Sequence, residues 1–328
     1  MIIFSEGSNL VPEIRAELRK LTKEGRRFED VEVLWLGGLR HVIHKHCLGL
    51  VANLKIIVSP TTGLDHIDLE ECERRGITVL SLQGEPEFLR GIPATAEHTW
   101  ALLLALVRRI PWAFDSVKEF RWDRNGFVGT ELKGKVLGIL GMGRVGTQVA
   151  AYGRAFQMEV IFNDEAPRDF GGSRNSVALF KESDILSIHL PLTARTRGVV
   201  GPALLSSMKS GSFLINTSRG HIVDEDALLE ALESGHFLAG AALDVLPGEL
   251  QGIEASRLVQ YAREHDNLLI TPHLGGATYE SMEKTQWFML NKLKTFLASR
   301  KDGSGQEGDL NGLATSDRPT VFQPSGTI

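Results

Sequence analysis

Cysteine is scarce in this chain: among 328 residues it occurs only as Cys47 and Cys72. Two cysteines far apart in sequence, without a C-x-x-C pair, provide neither a disulfide framework nor a thiolate zinc site. Long apolar runs are also absent, and none approaches the ~20 residues of a membrane span. The first residues lack the basic start and long apolar core of a signal peptide. We therefore predict a cytoplasmic protein that has no membrane segment.

Strong charge of either sign is missing too. The formal net charge is −5, with 23% charged and 42% hydrophobic residues, a composition that is typical of a globular protein and predicts no nucleic-acid partner. His41, His44 and His46 lie close in sequence, but proximity along the chain does not create ligand geometry. We interpret them as a solvent-facing helix and predict no metal site. The length of the chain suits two domains.

Glycine is abundant, and three glycines form a G-x-G-x-x-G motif: Gly141, Gly143 and Gly146. They follow a short apolar run that predicts a buried strand, and a helix is predicted directly after them. Asp164 ends the next predicted strand, 18 residues after Gly146, where a carboxylate accepts hydrogen bonds from a ribose 2′-OH. This context favours a dinucleotide site over an ordinary glycine-rich turn. Asp164 favours NAD, and Arg168 leaves NADP open.

Short apolar runs alternate with helical patterns along the whole chain, which predicts parallel α/β architecture. A long apolar helix is predicted at residues 98–108, and the aromatic side chains after it suggest an oligomer contact: Trp112, Phe114, Phe120 and Trp122. A final amphipathic helix is predicted at residues 279–298. Residues 301–328 contain few apolar anchors, so we predict a flexible tail there.

Polar residues stand just after three predicted strands, in the places held by Arg219, Glu249 and His273. The carboxyl ends of parallel strands meet at one ligand crevice, so these three side chains are expected to converge there. Each alone has a simpler interpretation, as a surface ion pair, a loop charge and a capped turn. A further turn containing Thr62 and Gly63 follows another strand and offers backbone N–H groups to a ligand.

The chain resembles the D-isomer-specific 2-hydroxyacid dehydrogenase family across roughly residues 50–298. The resemblance rests on LGILGMGRVG (137–146), HLPLT (189–193), NTSRG (216–220), ALDV (242–245) and PHLGG (272–276). It implies two doubly wound parallel-sheet domains. A Rossmann NAD-binding domain, residues 99–277, is then inserted into a flavodoxin-like substrate domain, residues 1–98 and 278–300.

The resemblance also implies roles for single residues. His273 is expected to be the acid/base, Glu249 its carboxylate partner, and Arg219 the group that holds the substrate's carboxylate and carbonyl. Thr62 and Gly63 are expected to bind the substrate carboxylate. The positions expected to bind NAD are Gly141, Gly143, Arg144, Val145, Gly146, Asp164, Pro191, Thr217, Asp244, Gly275 and Gly276.

This chain departs from the family pattern at several points. Leu250 follows Glu249 where the family usually has proline, and Ser59 stands where phosphoglycerate dehydrogenases carry a basic residue. We expect no regulatory domain of the kind that those enzymes carry. The connection at residues 83–96 is longer than usual and contains one cation, Arg90. We hypothesise that Arg90 contacts the part of the substrate beyond the 2-hydroxy acid; the alternative is that it lies in solvent.

The residues and the resemblance together predict an oxidoreductase that transfers a hydride between NAD(H) and a D-2-hydroxy acid or 2-oxo acid, assembled as a homodimer. A small-molecule acid is the expected substrate. The alternative is an NAD(H)-sensing scaffold of the same fold, like the transcriptional co-repressors that share it. Steady turnover of a 2-oxo acid distinguishes the two functions.

Overall fold

The computed structural model describes residues 1–5, 10–22, 28–38, 42–166 and 171–301. His41, Arg168 and residues 302–328 of the predicted tail lie outside them. The strands are β1 (Ile3–Ser5), β2 (Val33–Trp35), β3 (Ile56–Val58), β4 (Thr78–Leu80), β5 (Val136–Leu140), β6 (Glu159–Asn163), β7 (Ile185–Ile188), β8 (Ser212–Asn216), β9 (Leu238–Leu243) and β10 (Leu268–Ile270). The helices are α1 (Pro12–Leu21), α2 (Lys45–Gly49), α3 (Leu69–Arg74), α4 (Pro86–Arg90), α5 (Ala94–Val107), α6 (Ile110–Lys118), α7 (Arg144–Ala155), α8 (Ser176–Glu182), α9 (Pro202–Leu205), α10 (Glu225–Glu233), α11 (Arg257–Ala262) and α12 (Tyr279–Lys301).

The first sheet is parallel, and in the described part of the chain its strands lie in the order β1-β2-β3-β4. Successive side chains of a strand point to opposite faces, and helices cover both faces here. Val33, Trp35 and Val58 pack with α1 and α12, whereas Leu34 and Ile57 pack with α2 and α3. Burial on both faces explains why these strands are continuous apolar runs.

The second sheet is also parallel, with the order β10-β9-β8-β7-β5-β6. The chain runs outward from β5 to β6 and then returns to the other side of β5 with β7, so the strand order reverses between β5 and β7. A single parallel bridge between Phe162 and Ser173 continues the sheet beyond β6. Ligands bind at such a reversal, outside the carboxyl ends of the strands. This architecture confirms the predicted fold class of two parallel α/β sheets.

Two apolar clusters cover the faces of this second sheet. Helices α5 and α7 pack on one face, with Leu103 and Val149 against Leu137, Ile139 and Ile215 of the strands. On the other face pack α8, α9, α10 and α11, whose buried side chains include Leu179, Leu205, Leu228 and Leu258. The carboxyl ends of the strands are left for ligands because both faces are occupied.

The last helix, α12, returns to the first sheet, since Met289, Leu290 and Leu293 belong to the same apolar cluster as Val33 and Trp35. The backbone N–H of Val11 donates to Gln286 Oε1 at 2.9 Å. The grouping agrees with the expected insertion of one domain into another. The domain boundaries themselves stay a prediction.

The connection at residues 83–96 is a packed segment that contains α4 and the start of α5. Phe88 of α4 stacks on Phe288 of α12 with ring centroids 4.1 Å apart. Glu85 forms a largely buried ion pair with Lys292. These contacts hold the connection against α12.

The predictions of no membrane segment and of no metal site can be compared with the described residues. No helix among them is long and apolar enough to cross a membrane. Nowhere in the same residues do three or more histidine, cysteine, aspartate or glutamate side chains gather as a metal site. His44 and His46 are exposed at the start of α2, and His44 caps that helix by accepting from the Cys47 N–H.

Candidate active site

The glycine-rich turn connects β5 to α7 at the point where the strand order reverses. Gly141 has φ +98°, a conformation that glycine adopts readily. A Cβ at Gly146 lies 2.1 Å from the Gly141 carbonyl oxygen, so only glycine lets α7 pack this close. A Cβ at Gly143, in contrast, meets no heavy atom within 4 Å. The second glycine therefore faces open space at the N-terminus of a helix, which suits a pyrophosphate.

Asp164 directly follows β6 and lies beside this turn. One carboxylate oxygen accepts from the Met142 N–H at 2.7 Å, and the other accepts from the Ala166 N–H at 2.8 Å. The contact with Met142 places the acid next to the glycine-rich turn, where a ribose would follow a pyrophosphate. The residues present thus fit a dinucleotide.

The other predicted cofactor residues surround the same end of the sheet. Gly276 is exposed and has open space at its Cβ position, whereas Gly275 packs on Asp244. The Thr217 hydroxyl pairs with that of Thr99 at 2.7 Å, and the Pro191 carbonyl accepts from the Thr196 hydroxyl at 2.6 Å. Val145 packs into the cluster beneath α7.

Arg144 has a contact that the sequence did not predict. Its guanidinium donates to the Ile92 carbonyl, just before α5, at 2.9 Å. Burial lowers the pKa of Arg144. The side chain therefore connects the start of α7 with the connection between the two sheets, next to the expected pyrophosphate site.

Asp244 follows β9 and is the centre of a buried hydrogen-bond network. Its carboxylate accepts from the Thr271 hydroxyl at 2.7 Å and from the N–H groups of Leu274 and Gly275 at 2.7 and 2.8 Å. His98 Nε2 lies 3.1 Å away. Burial raises the pKa of Asp244, but these donors outweigh burial and hold the pKa below its ordinary value. Asp244 thus anchors the turn that carries His273.

His273 and Glu249 are in direct contact. Glu249 Oε1 hydrogen-bonds His273 Nδ1, and Glu249 Oε2 accepts from the Leu246 N–H at 2.9 Å. The backbone of His273 has φ +55° and is fixed by its N–H, which donates to the Asp244 carbonyl at 2.9 Å. The two side chains are 21% and 23% exposed, so the pair is partly shielded and still reachable. Leu250 does not prevent this contact.

Arg219 follows β8, and hydrogen bonds from the Asn216 side chain fix the backbone around it. The Asn216 amide donates to the Arg219 carbonyl at 3.0 Å, and its oxygen accepts from the Ser218 N–H at 3.0 Å. The guanidinium itself donates to the Ser218 carbonyl at 2.7 Å and, through Nε, to Asp65 at 2.8 Å. These bonds fix the plane of the guanidinium at the carboxyl end of the sheet.

Asp65 and Gly63 reach Arg219 from the turn after β3, so both sheets contribute to this site. A Cβ at Gly63 lies 1.5 Å from Arg219 Nη2, so any side chain there displaces the guanidinium. Burial raises the pKa of the Asp65 carboxyl, and the Arg219 charge outweighs it and lowers the pKa below its ordinary value. Thr62, beside Gly63, is exposed.

A cavity of about 480 Å³ borders the Glu249–His273 pair. His273 and Glu249 form part of its wall, and most of the remaining wall is apolar, including Trp112, Leu246 and Leu250. The cavity lies on the side of α6, α11 and β10.

Arg90 lies at the end of α4. Its side chain is 71% exposed and pairs with Glu87 of the same helix at 2.9 Å. Its carbonyl accepts from Gln148 of α7 at 3.4 Å. The structure thus places Gly63 against Arg219 and Glu249 against His273, and leaves Arg90 exposed on the connection.

Sequence reasoning missed two polar side chains at this site, Asp65 and His98. Asp65 stands only two residues after Gly63, and His98 follows Glu97 in a helix that was otherwise read as apolar. Neither follows a strand directly, so the argument from strand ends does not find them. Asp65 meets Arg219 from the other sheet, and His98 meets Asp244 from 146 positions away, which spacing alone does not reveal.

Together the reversal of strand order, the glycine-rich turn and Asp164 define a dinucleotide-binding α/β protein of two parallel sheets. The sequence profile of the D-isomer specific 2-hydroxyacid dehydrogenase NAD-binding domain matches residues 100–275. The chain belongs to this family, and the match confirms NAD as the predicted cofactor.

Relatives in this family have several activities. The chain is 40% identical over 237 residues to D-3-phosphoglycerate dehydrogenase of Bacillus subtilis, which covers 70% of this chain and 43% of that protein. It therefore spans less than half the length of that relative. Hydroxypyruvate reductase of Thermotoga maritima is 37% identical over 244 residues, 74% of this chain and 77% of that protein.

Solved structures with the same fold include D-lactate dehydrogenase of Aquifex aeolicus in complex with NAD and lactic acid. It superposes with a TM-score of 0.78 at 29% sequence identity, over 96% of this chain and 100% of that one. The fold of the whole two-sheet molecule is therefore shared with a member of the family.

Proposed function

We propose that this protein is an NAD-dependent oxidoreductase that interconverts a D-2-hydroxy acid and the corresponding 2-oxo acid. The observation that carries the proposal is the hydrogen bond between Glu249 and His273 Nδ1, formed at the same strand ends as Arg219. An oriented imidazole next to a fixed guanidinium is the minimum that carbonyl reduction requires from a protein.

His273 is the acid/base in this proposal. Because Nδ1 is bonded to Glu249, Nε2 is the nitrogen that exchanges a proton with the substrate oxygen. The carboxylate of Glu249 stabilises the imidazolium by its opposite charge and fixes the ring. In the direction of reduction the imidazolium gives its proton to the carbonyl oxygen, and the neutral ring then takes a proton from water.

Arg219 binds the substrate and polarises it. NADH, when bound, would supply a hydride to the carbonyl carbon, so negative charge would develop on the substrate oxygen. The guanidinium stabilises this charge more strongly in the transition state than in the bound substrate, which is the requirement for catalysis. The substrate carboxylate is held between Arg219 and the backbone N–H groups of Thr62 and Gly63.

The cofactor preference follows from Asp164. A carboxylate accepts hydrogen bonds from a 2′-OH and repels a 2′-phosphate. We expect a higher kcat/KM with NADH than with NADPH, and a smaller difference in the Asp164→Ala variant. A wild-type preference for NADPH contradicts the assignment.

The part of the substrate that extends from the 2-oxo acid group toward Ser59 is small or uncharged. Ser59 is fully buried and provides no cation for a phosphate, which needs charge-assisted hydrogen bonds. Arg90 is the cation of the connection, and its ion pair with Glu87 is exposed and therefore weak. Selective loss of activity on long anionic 2-oxo acids in Arg90→Ala supports a role in substrate binding; an equal effect on short uncharged ones argues against it.

We further propose that the protein is a homodimer built on the surface around α6. Phe114, Phe120 and Trp122 are 62%, 100% and 89% exposed, and large apolar side chains at this density are typical of contact surfaces. Sedimentation equilibrium of the wild type and of Phe120→Ser/Trp122→Ser tests the proposal. A dimer that becomes a folded monomer in the double variant is expected; a wild-type monomer contradicts it.

Steady-state assays with a panel of 2-oxo acids and NADH test the function. Reduction of at least one member to the D-2-hydroxy acid is expected, with loss of that activity in Arg219→Ala. An NAD(H)-sensing scaffold binds NADH equally well but does not turn over a 2-oxo acid, so binding without turnover favours the scaffold.

A further inference from the structure

The turn after β3 contains a chain of hydrogen bonds between side chains. We name residues 59–64 the substrate loop. The Thr61 hydroxyl donates to the Gly63 carbonyl at 2.9 Å, and the Ser59 hydroxyl lies 2.8 Å from that of Thr61. His66 Nε2 lies 3.4 Å from the Ser59 oxygen. Ser59 and His66 are 0% and 1% exposed, so protein groups rather than bulk solvent determine these bonds.

The direction of the chain follows from counting hydrogens. A hydroxyl carries a single donor hydrogen. The hydrogen of Thr61 is given to the Gly63 carbonyl, so the bond between Ser59 and Thr61 is donated by Ser59. The Ser59 oxygen can then only accept from His66, and His66 must carry a hydrogen on Nε2.

The protonation state of His66 agrees with this direction. Burial lowers the pKa of His66 to about 4, with Asp65 acting in the opposite direction and the charges of Arg219 and His273 lowering it further. The ring is therefore neutral at pH 7. Its second nitrogen, Nδ1, is buried without a hydrogen-bond partner among the described residues, and an unprotonated nitrogen tolerates this better than an N–H group.

We propose that His66 is a positioning residue. Its Nε2–H group anchors a one-directional chain of hydrogen bonds, through Ser59 and Thr61, that holds Gly63 in the conformation in which the substrate loop binds the substrate carboxylate. The inference rests on the proposed function, because the substrate loop has this task only in an enzyme that binds a 2-oxo acid there.

Gly63 is the residue that needs this support. It must be glycine because Arg219 Nη2 occupies the place of a Cβ, and glycine alone does not define its backbone angles. A hydrogen bond on its carbonyl fixes the peptide that follows it. The close approach of Arg219 requires a glycine at position 63, and that glycine leaves the backbone of the loop flexible. The hydrogen bonds from His66 restrict this flexibility.

Ser59 acquires a definite role from this arrangement. Its hydroxyl both donates to Thr61 and accepts from His66. A residue that brings no cation to the substrate loop therefore stabilises the shape of the loop from inside the protein.

Nitrogen-15 NMR of the histidine rings tests the direction of the chain without any assay. The protein contains ten histidines, and comparison with His66→Gln identifies the signal of His66. We expect a neutral ring with its proton on Nε2 at pH 7. A proton on Nδ1 alone, or an imidazolium, overturns the inference whether or not the protein reduces a 2-oxo acid.

Thr61→Val and Thr61→Ser form a matched pair for the kinetic test. Valine has the shape of threonine without the hydroxyl, whereas serine keeps the hydroxyl. In Thr61→Val we expect kcat/KM for the 2-oxo acid to fall about tenfold, the loss of one hydrogen bond, with an unchanged Kd for NADH. Thr61→Ser should retain most of the activity.

The outcomes separate this inference from the proposed function. If the wild type reduces a 2-oxo acid and folded Thr61→Val is equally active, the inference is wrong and the proposed function stands. If the wild type reduces none, the proposed function fails and the positioning role fails with it, whatever tautomer is found. If Thr61→Val does not fold, the NMR measurement on the wild type decides.

Discussion

Among single residues, Glu249 and His273 show how two strand-end side chains become one functional unit. Glu249 is fixed by the Leu246 N–H, and His273 is fixed by the Asp244 carbonyl. Each fixed backbone therefore presents its side chain to the other. In the proposed function, the acid/base role of His273 depends on this pairing.

Replacing Glu249 with glutamine tests the pairing. The amide keeps the shape of the side chain but removes its negative charge, so the imidazolium loses its stabilising partner. We expect kcat/KM for the 2-oxo acid to fall, because the protonated His273 loses the charge that stabilises it. Steady-state kinetics of the wild type and Glu249→Gln measure the change, with an unchanged Kd for NADH as the control. An unchanged kcat/KM in Glu249→Gln means that another group stabilises the imidazolium.

At the scale of secondary-structure elements, the glycine-rich turn connects packing with binding. Gly146→Ala forces a methyl group against the Gly141 carbonyl, 2.1 Å away, and α7 must move from β5. We expect a loss of about 1–3 kcal/mol in the free energy of unfolding, as for other overpacked sites. Urea unfolding measures it, and unchanged stability contradicts the close packing.

Gly143→Ala is the matched control in the same turn. A methyl group there meets no protein atom within 4 Å, so the free energy of unfolding should stay within about 1 kcal/mol of the wild type. NADH affinity should fall, because the added group occupies the space expected for the pyrophosphate. A variant that binds NADH as tightly as the wild type argues against this place for the cofactor.

Many of the strands and helices could be predicted from the sequence. The strands β5 to β9 and the helix after the glycine-rich turn follow from apolar runs and from G-x-G-x-x-G, because burial on both faces of a parallel sheet leaves a strong pattern. The family, the fold class and NAD were confirmed. The role of each site residue, including Glu249, stays a prediction.

Other parts could not be predicted because they depend on contacts distant in sequence. Helix α4 is only five residues long and is held by Phe288 and Lys292 of α12, so its own sequence indicated a loop. The edge beyond β6 consists of one bridge at Ser173, too short for a periodic pattern. Asp65 became a site residue only through Arg219, which lies 154 positions away.

The stability of the whole molecule should depend on two histidines, the buried His66 and the partly buried His189. Burial lowers the pKa of His66 from its ordinary value of 6.5 to about 4, and that of His189 to about 3. Between these values and pH 6.5 the unfolded chain binds protons that the folded chain does not. The contribution of the neutral histidines to the free energy of unfolding is therefore complete above pH 6.5 and is lost as the pH falls toward 4.

Urea unfolding at pH 7 and pH 5 measures this effect at a fixed protein concentration. For His66 the full shift corresponds to up to about 3 kcal/mol. We expect the wild type to lose more stability on acidification than His66→Gln does. The exposed residue His236 provides the control, since His236→Gln should behave like the wild type. Equal losses in all three proteins contradict the assigned protonation state of His66.

In the proposed function the two sheets act together at the crevice, since Gly63 and Asp65 of one meet Arg219 of the other. Single-turnover mixing of the enzyme–NADH complex with a 2-oxo acid, for the wild type and for His273→Ala, tests this central claim most directly. The account predicts oxidation of bound NADH and formation of the D-2-hydroxy acid by the wild type. In His273→Ala the rate should fall about 10²–10⁴-fold, with an unchanged Kd for NADH. Equal rates in both proteins, or no product from the wild type with any 2-oxo acid, would contradict the account.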